Sequence, residues 1–77
     1  MLRGTLTGLV QRVAAVSIHG QRSWDITYVP AAQPCAPPNV ARVGTEAAPA
    51  DLAAGDEVLL DFLVGQVVAV RRAPRQP

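Results

Sequence analysis

A chain of 77 residues makes one domain at most, and at this size folding buries only about 60% of the unfolded surface, so the core is thin. The hydrophobic fraction of 49% against 17% charged residues is high for so small a body and points to apolar surface that partners cover. Net charge is +1 and all seven cations are arginines, scattered except for Arg71, Arg72 and Arg75, which argues against the positive stripe of a nucleic-acid binder.

The chain opens without the apolar stretch of a signal peptide and enters a strand directly. Residues 2–10 are expected to form a first strand kinked at Gly8, and residues 13–19 a second. In that second strand Ala14, Val16 and Ile18 share one face, the better core candidate, and Val13 lies on the other. Gly20-Gln21-Arg22 reads as a hairpin turn. The clearest pattern follows, where Trp24, Ile26 and Tyr28 alternate with Asp25 and Thr27 as in a half-buried strand, so the three large side chains should anchor the core.

Pro30 is expected to end that strand. Residues 30–50 then carry Pro30, Pro34, Pro37, Pro38 and Pro49, a spacing that no helix and no central strand tolerates. The segment reads as an extended, polyproline-like arm with a brief strand over residues 40–43. Residues 51–55 read as one helical turn closed by Gly55, with Leu52 directed inward. Val58, Leu60, Phe62 and Val64 then share one strand face, with Leu59, Asp61 and Leu63 on the other, and after Gly65-Gln66 a last strand covers residues 67–72. Apolar residues on both faces imply that a second surface covers the Leu59 and Leu63 side. Five strands in this order give an all-β single domain over residues 1–77, a small OB-like or SH3-like barrel with a long proline-rich loop.

Catalytic chemistry has little to build on. His19 is the only histidine and Cys35 the only cysteine, so a nucleophile–base pair would need those two to meet, and no spacing suggests zinc or an internal disulfide. A lone thiol is consistent with synthesis in a reducing cytoplasm. Asp56, Glu57 and Asp61 lie close in sequence, as acid–base chemistry or a cation site would use them, but Asp56 and Glu57 are read as serving a strand-entry turn and solvent. No catalytic, cofactor or metal site is expected. No apolar run approaches the roughly 20 residues that a membrane helix requires.

The stretch from Leu52-Ala53-Ala54-Gly55-Asp56-Glu57-Val58 through Leu59-Leu60-Asp61-Phe62-Leu63-Val64-Gly65 resembles the L-x-x-G-D-x-V-L-V-x-F-L-x-G hairpin of OB-like domains in bacteriophage tail, baseplate and spike proteins and their relatives in contractile injection systems. Arg3-Gly4-Thr5-Leu6 is similar to the R-G-x-V opening strand of such domains. Here Gln66 leads straight into Val67 where that family often has an acidic, proline-bearing loop. The resemblance implies a non-enzymatic structural subunit of a virion, a tail tip, connector or capsid decoration, made in the bacterial host cytoplasm and needing no cofactor. Its partners would be other virion proteins or copies of itself, with nucleic acid disfavoured as a partner and no membrane involved. The expected contact residues are Pro34, Pro37, Pro38, Asn39, Val40 and Arg42 on the arm, Leu59 and Leu63 on the strand face, and Arg71, Arg72 and Arg75 at an edge. The alternatives are a single-stranded nucleic-acid-binding OB-like module that stacks bases on Trp24 and Tyr28, and a bacterial adaptor domain using the proline arm.

Overall fold

The computed structural model describes residues 3–73, and Arg75 lies outside them. They form one five-stranded antiparallel sheet: β1 (Arg3–Ile18), β2 (Gln21–Pro30), β3 (Asn39–Gly44), β4 (Glu57–Leu63) and β5 (Gln66–Arg72), with a 3-10 turn at Thr45–Ala47. The strand order is β3-β2-β1-β4-β5. Every neighbouring pair is antiparallel, so the two outer strands, β3 and β5, run in the same direction. The sheet curls until they approach each other, although no ladder joins them.

The two opening strands expected from the sequence are one. β1 pairs with β4 through residues 3–9 and with β2 through residues 8–18, so it serves both halves of the sheet. Gly8, expected as a kink within the first strand, is a residue of both ladders, opposite Pro30 on one side and Val58 on the other. The irregularity comes later. Register passes from Val10 opposite Tyr28 to Arg12 opposite Thr27, leaving Gln11 as the extra residue of a bulge.

That bulge reverses the inward parity of β1. Before it Leu6, Gly8 and Val10 face inward, while beyond it Val13 packs on the core opposite Ile26. The Ile18 face therefore turns outward and Ile18 is 41% exposed, opposite to the sequence expectation. A second bulge leaves Val68 as the extra residue in β5, so that Val67 rather than Val68 meets Phe62 and packs inward.

The core gathers Val10, Ile26, Tyr28, Ala41, Val43, Leu52, Val58, Leu60 and Val70. Ile26 and Tyr28 are buried as their alternation predicts, and Trp24 packs half-buried against them. Each fully buried branched side chain contributes about 1.5–3 kcal/mol relative to exposure. Leu52 is inside as expected, but residues 51–55 form turns rather than a helical turn, which occurs instead at Thr45–Ala47. Val10 fastens this loop: its N–H donates to the Asp56 carbonyl at 2.9 Å, and its carbonyl accepts from Gly55 N–H at 2.8 Å. Asp56 closes the turn by accepting the Ala53 N–H on its side chain at 3.0 Å.

The proline-rich stretch divides. Pro30 is still within β2, residues 31–38 form turns, and β3 lies hydrogen-bonded along β2, so Asn39, Val40 and Arg42 belong to the sheet rather than to a free arm. Both hairpin turns sit one residue earlier than expected. His19 and Gly20 have φ of 52° and 79°, and Val64 and Gly65 have 52° and 79°, the two left-handed central residues of a type I′ turn. Gln21, Arg22 and Gln66 consequently start strands.

Candidate interaction surface

The outer face of the sheet carries arginines held by carboxylates. Asp25 and Arg42 stand directly opposite on β2 and β3, and Arg42 Nε and Nη2 donate to the two carboxylate oxygens at 2.7 and 2.9 Å. These hydrogen bonds hold the Asp25 carboxyl below the usual range and raise Arg42, the charge attraction adding to the effect. On β4 and β5, Arg71 makes the same forked contact with Asp61 at 3.0 Å for both bonds, and Thr5 Oγ1 donates to Asp61 at 3.1 Å. Hydrogen bonding to Asp61 raises Arg71.

Arg72 staples the loop before β4 to β5. Its Nη1 donates to Asp51 Oδ1 at 3.0 Å, and its Nη2 reaches the Asp51 carbonyl at 3.2 Å and Asp56 Oδ2 at 3.4 Å. Asp51 is lowered chiefly by that side-chain hydrogen bond, and Arg72 is raised by it. Arg42, Arg71 and Arg72, expected as contact residues, therefore spend their guanidinium groups on this chain's own carboxylates.

A shallow groove of about 720 Å³ opens where β3 and β5 begin. Asn39, Val40 and Arg42 form one wall, Gly65, Gln66 and Val67 the other, and Leu6, Tyr28 and Phe62 lie beneath. Burial raises the Tyr28 hydroxyl above its ordinary pKa. Beside the groove is the tip of the β4–β5 hairpin, where Leu63 is 41%, Val64 69% and Val68 48% exposed. Val40, across the groove, is 63% exposed.

The structure thus brings Asn39, Val40 and Arg42 to the groove and sets Leu63 at the neighbouring tip. Leu59 is half-buried further along β4, opposite Thr7 and Arg71. Pro34, Pro37 and Pro38 lie in the segment between β2 and β3, away from the groove lining. Sequence reasoning misses Val64 and Gln66 as surface features, since simple alternation carries Val64 along on the Phe62 face of the strand. The signal available is Gly65, which in a two-residue turn leaves its predecessor at the tip.

Little chemistry converges elsewhere. His19 lies in the turn before β2 and Cys35 beyond its far end, so the 10 residues of β2, about 30 Å of strand, intervene. Among the described residues no group of three or more His, Cys, Asp or Glu side chains is gathered to hold a metal ion, and no helix is long and apolar enough to cross a membrane. Comparison with protein-family models, with curated proteins and with solved structures finds no match to this chain.

Proposed function

We propose that the chain is a non-enzymatic structural subunit of a bacteriophage particle, built on an OB-like barrel and acting through contacts with other virion proteins and with copies of itself. The observation that carries the reading is the pairing of its two resemblance motifs. Arg3-Gly4-Thr5-Leu6 and Leu60-Asp61-Phe62-Leu63, more than fifty residues apart, are opposed residue for residue in the β1–β4 ladder. The strand order supports the barrel: β3 and β5 run parallel and approach, so the ring 1-2-3-5-4 of an OB barrel follows if they meet. Such a fold serves many functions, so the case for assembly rests on surface chemistry.

That chemistry favours protein over nucleic acid. Base stacking on an OB-like face needs exposed rings and unpaired cations. Tyr28 is 6% exposed, and Arg42, Arg71 and Arg72 are engaged by aspartates, while the apolar side chains Val40, Leu63, Val64 and Val68 face outward. The decisive experiment is quantitative mass spectrometry of purified phage particles from a host producing the chain. A fixed copy number per particle is expected, and a chain left behind in the lysate while intact particles are recovered would overturn the assignment.

A further inference from the structure

We propose that the open edge of β1 over residues 13–17 accepts an extended segment of another protein as an added strand, one whose carboxylates meet Arg12 and Arg22. The edge is separate from the β4–β5 hairpin, and its chemistry is independent of the virion assignment.

The edge follows from the two registers of β1. Its ladder with β4 ends at Leu9 opposite Glu57, whereas its ladder with β2 runs on to Ile18 opposite Gln21. Ile18 and Gln21 flank a two-residue turn and are therefore a hydrogen-bonded pair. Counting back by two, Val16 and Ala14 also direct their N–H and C=O groups to β2, so those of Val13, Ala15 and Ser17 point away from it. Among the described residues no further backbone hydrogen bond reaches these three, and Ala15 and Ser17 are exposed. Residues 13–18 contain no charge and no proline, the usual guards of a free edge. An added strand supplies the alternating donors and acceptors that this row lacks. A nucleic-acid backbone supplies acceptors and leaves the open carbonyls without donors.

Charge selects the kind of strand. Arg12 and Arg22 are exposed and have no carboxylate partner among the described residues, unlike Arg42, Arg71 and Arg72. Residues 11–22 contain no acidic side chain. Two such edges paired with each other would gather Arg12 and Arg22 of both copies around one seam, whereas an acidic strand meets both cations favourably. The spacing is specific. Arg12 stands on the edge strand itself, and Arg22 lies opposite Ser17, whose short side chain leaves it a path of about 4.8 Å to the next strand position. Positions 12 and 17 lie on opposite faces of β1, so the matching carboxylates are five residues apart on opposite faces of the added strand.

Amide hydrogen exchange on the full chain tests the edge. In the free chain the N–H groups of Ala15 and Ser17 should exchange at least about tenfold faster than those of Ala14 and Val16. The probe is a capped eight-residue peptide of threonine and valine with glutamates at its second and seventh positions, a spacing that reads alike in either direction. It should slow exchange at Ala15 and Ser17 at least about tenfold, and the same peptide with lysines in place of the glutamates should bind at least about tenfold more weakly. Arg12→Glu combined with Arg22→Glu, both exposed positions, should reverse that preference and keep the circular dichroism spectrum. Equal exchange of the two sets of amides in the free chain, binding without protection of Ala15 and Ser17, or indifference to peptide charge overturns the proposal. So does protection of the edge that rises with the concentration of the chain alone, which assigns the edge to a second copy.

Discussion

Gly8 on β1 and Leu60 on β4 compete for one volume: a Cβ on Gly8 would stand 2.6 Å from Leu60 Cδ1, and 3.5 Å from both Tyr28 Cδ2 and the Val29 carbonyl oxygen. Leu60 is wholly buried, so its methyl has no solvent into which to swing. Gly8→Ala should therefore cost about 1–3 kcal/mol of stability by overpacking. On the same strand a Cβ at Gly4 would meet nothing within 4 Å, and Gly4→Ala should be close to neutral. Urea unfolding followed through Trp24 fluorescence compares the two. Equal midpoints would show that β1 does not depend on the close approach at Gly8.

The sequence pattern announces Gly8 as special but not why. Alternation at Trp24, Ile26 and Tyr28 and at Val58 and Leu60 is legible because each run lies within one unbroken register. Across Gln11 the same rule fails, since one extra residue exchanges the faces and sends Ile18 rather than Val13 outward. Within the proline-rich stretch the brief strand expected over residues 40–43 is present as β3, whose residues 39–44 contain no proline and complete a ladder with β2. The groove is not legible at all, because it depends on how far apart the starts of β3 and β5 stand and not on any one side chain.

The two hairpin glycines allow backbone strain to be measured without packing. Gly20 and Gly65 both have φ of 79°, and a Cβ at either would have nothing within 4 Å. Gly20→Ala and Gly65→Ala should each cost about 1–2 kcal/mol, the penalty of holding an L-residue in the left-handed region. Thermal melts with the circular dichroism of the sheet as readout suffice. A variant as stable as the wild type would mean that its turn has changed type.

The pH dependence of stability should have two limbs with different owners. Asp25 and Asp51 have folded pKa values lowered by Arg42 and Arg72, so their contributions are complete above the unfolded carboxylate value of about 3.9 and are lost as pH falls through the folded values. Tyr28 is raised by burial, so its contribution is complete below the unfolded value of about 10 and is lost as pH rises through the folded one. Asp25→Asn should remove its share of the acid limb, leaving that of Asp51 and the alkaline limb, whereas Tyr28→Phe should remove the alkaline limb and leave the acid one. Denaturant midpoints measured across the acid and alkaline ranges would separate them, and an alkaline limb unchanged in Tyr28→Phe would assign it to other groups.

Trp24 packs against the core while its Nε1 is buried with no hydrogen-bond partner. Truncation and donor removal should therefore act differently. Trp24→Ala loses the ring and should cost about 3 kcal/mol, the lower end for a large aromatic because the residue is only half-buried. Trp24→Phe loses part of the ring and also an unsatisfied donor worth about 1–3 kcal/mol of desolvation, so it should be near neutral. Chemical denaturation followed by far-ultraviolet circular dichroism measures both. Equal losses in the two variants would show that the indole N–H has a partner in solution.

The contact residues on β4 should divide by position. Leu63 is 41% exposed at the end of the strand, next to Val64, and its side chain borders the hairpin tip rather than the core. Leu63→Asp should keep the melting temperature near that of the wild type and weaken self-association at least about tenfold, because a carboxylate at an apolar contact is desolvated without a partner. Leu59 is half-buried between Thr7 and Arg71, with Asp61 two residues along on the same face. A carboxylate there competes with Asp61 for Arg71 and gives up packing within the sheet. Leu59→Asp should accordingly lower stability by about 1–3 kcal/mol while altering association less than Leu63→Asp does. Multi-angle light scattering and thermal melts on both variants decide the matter, and a Leu63→Asp chain that assembles like the wild type would move the contact surface away from the β4–β5 hairpin.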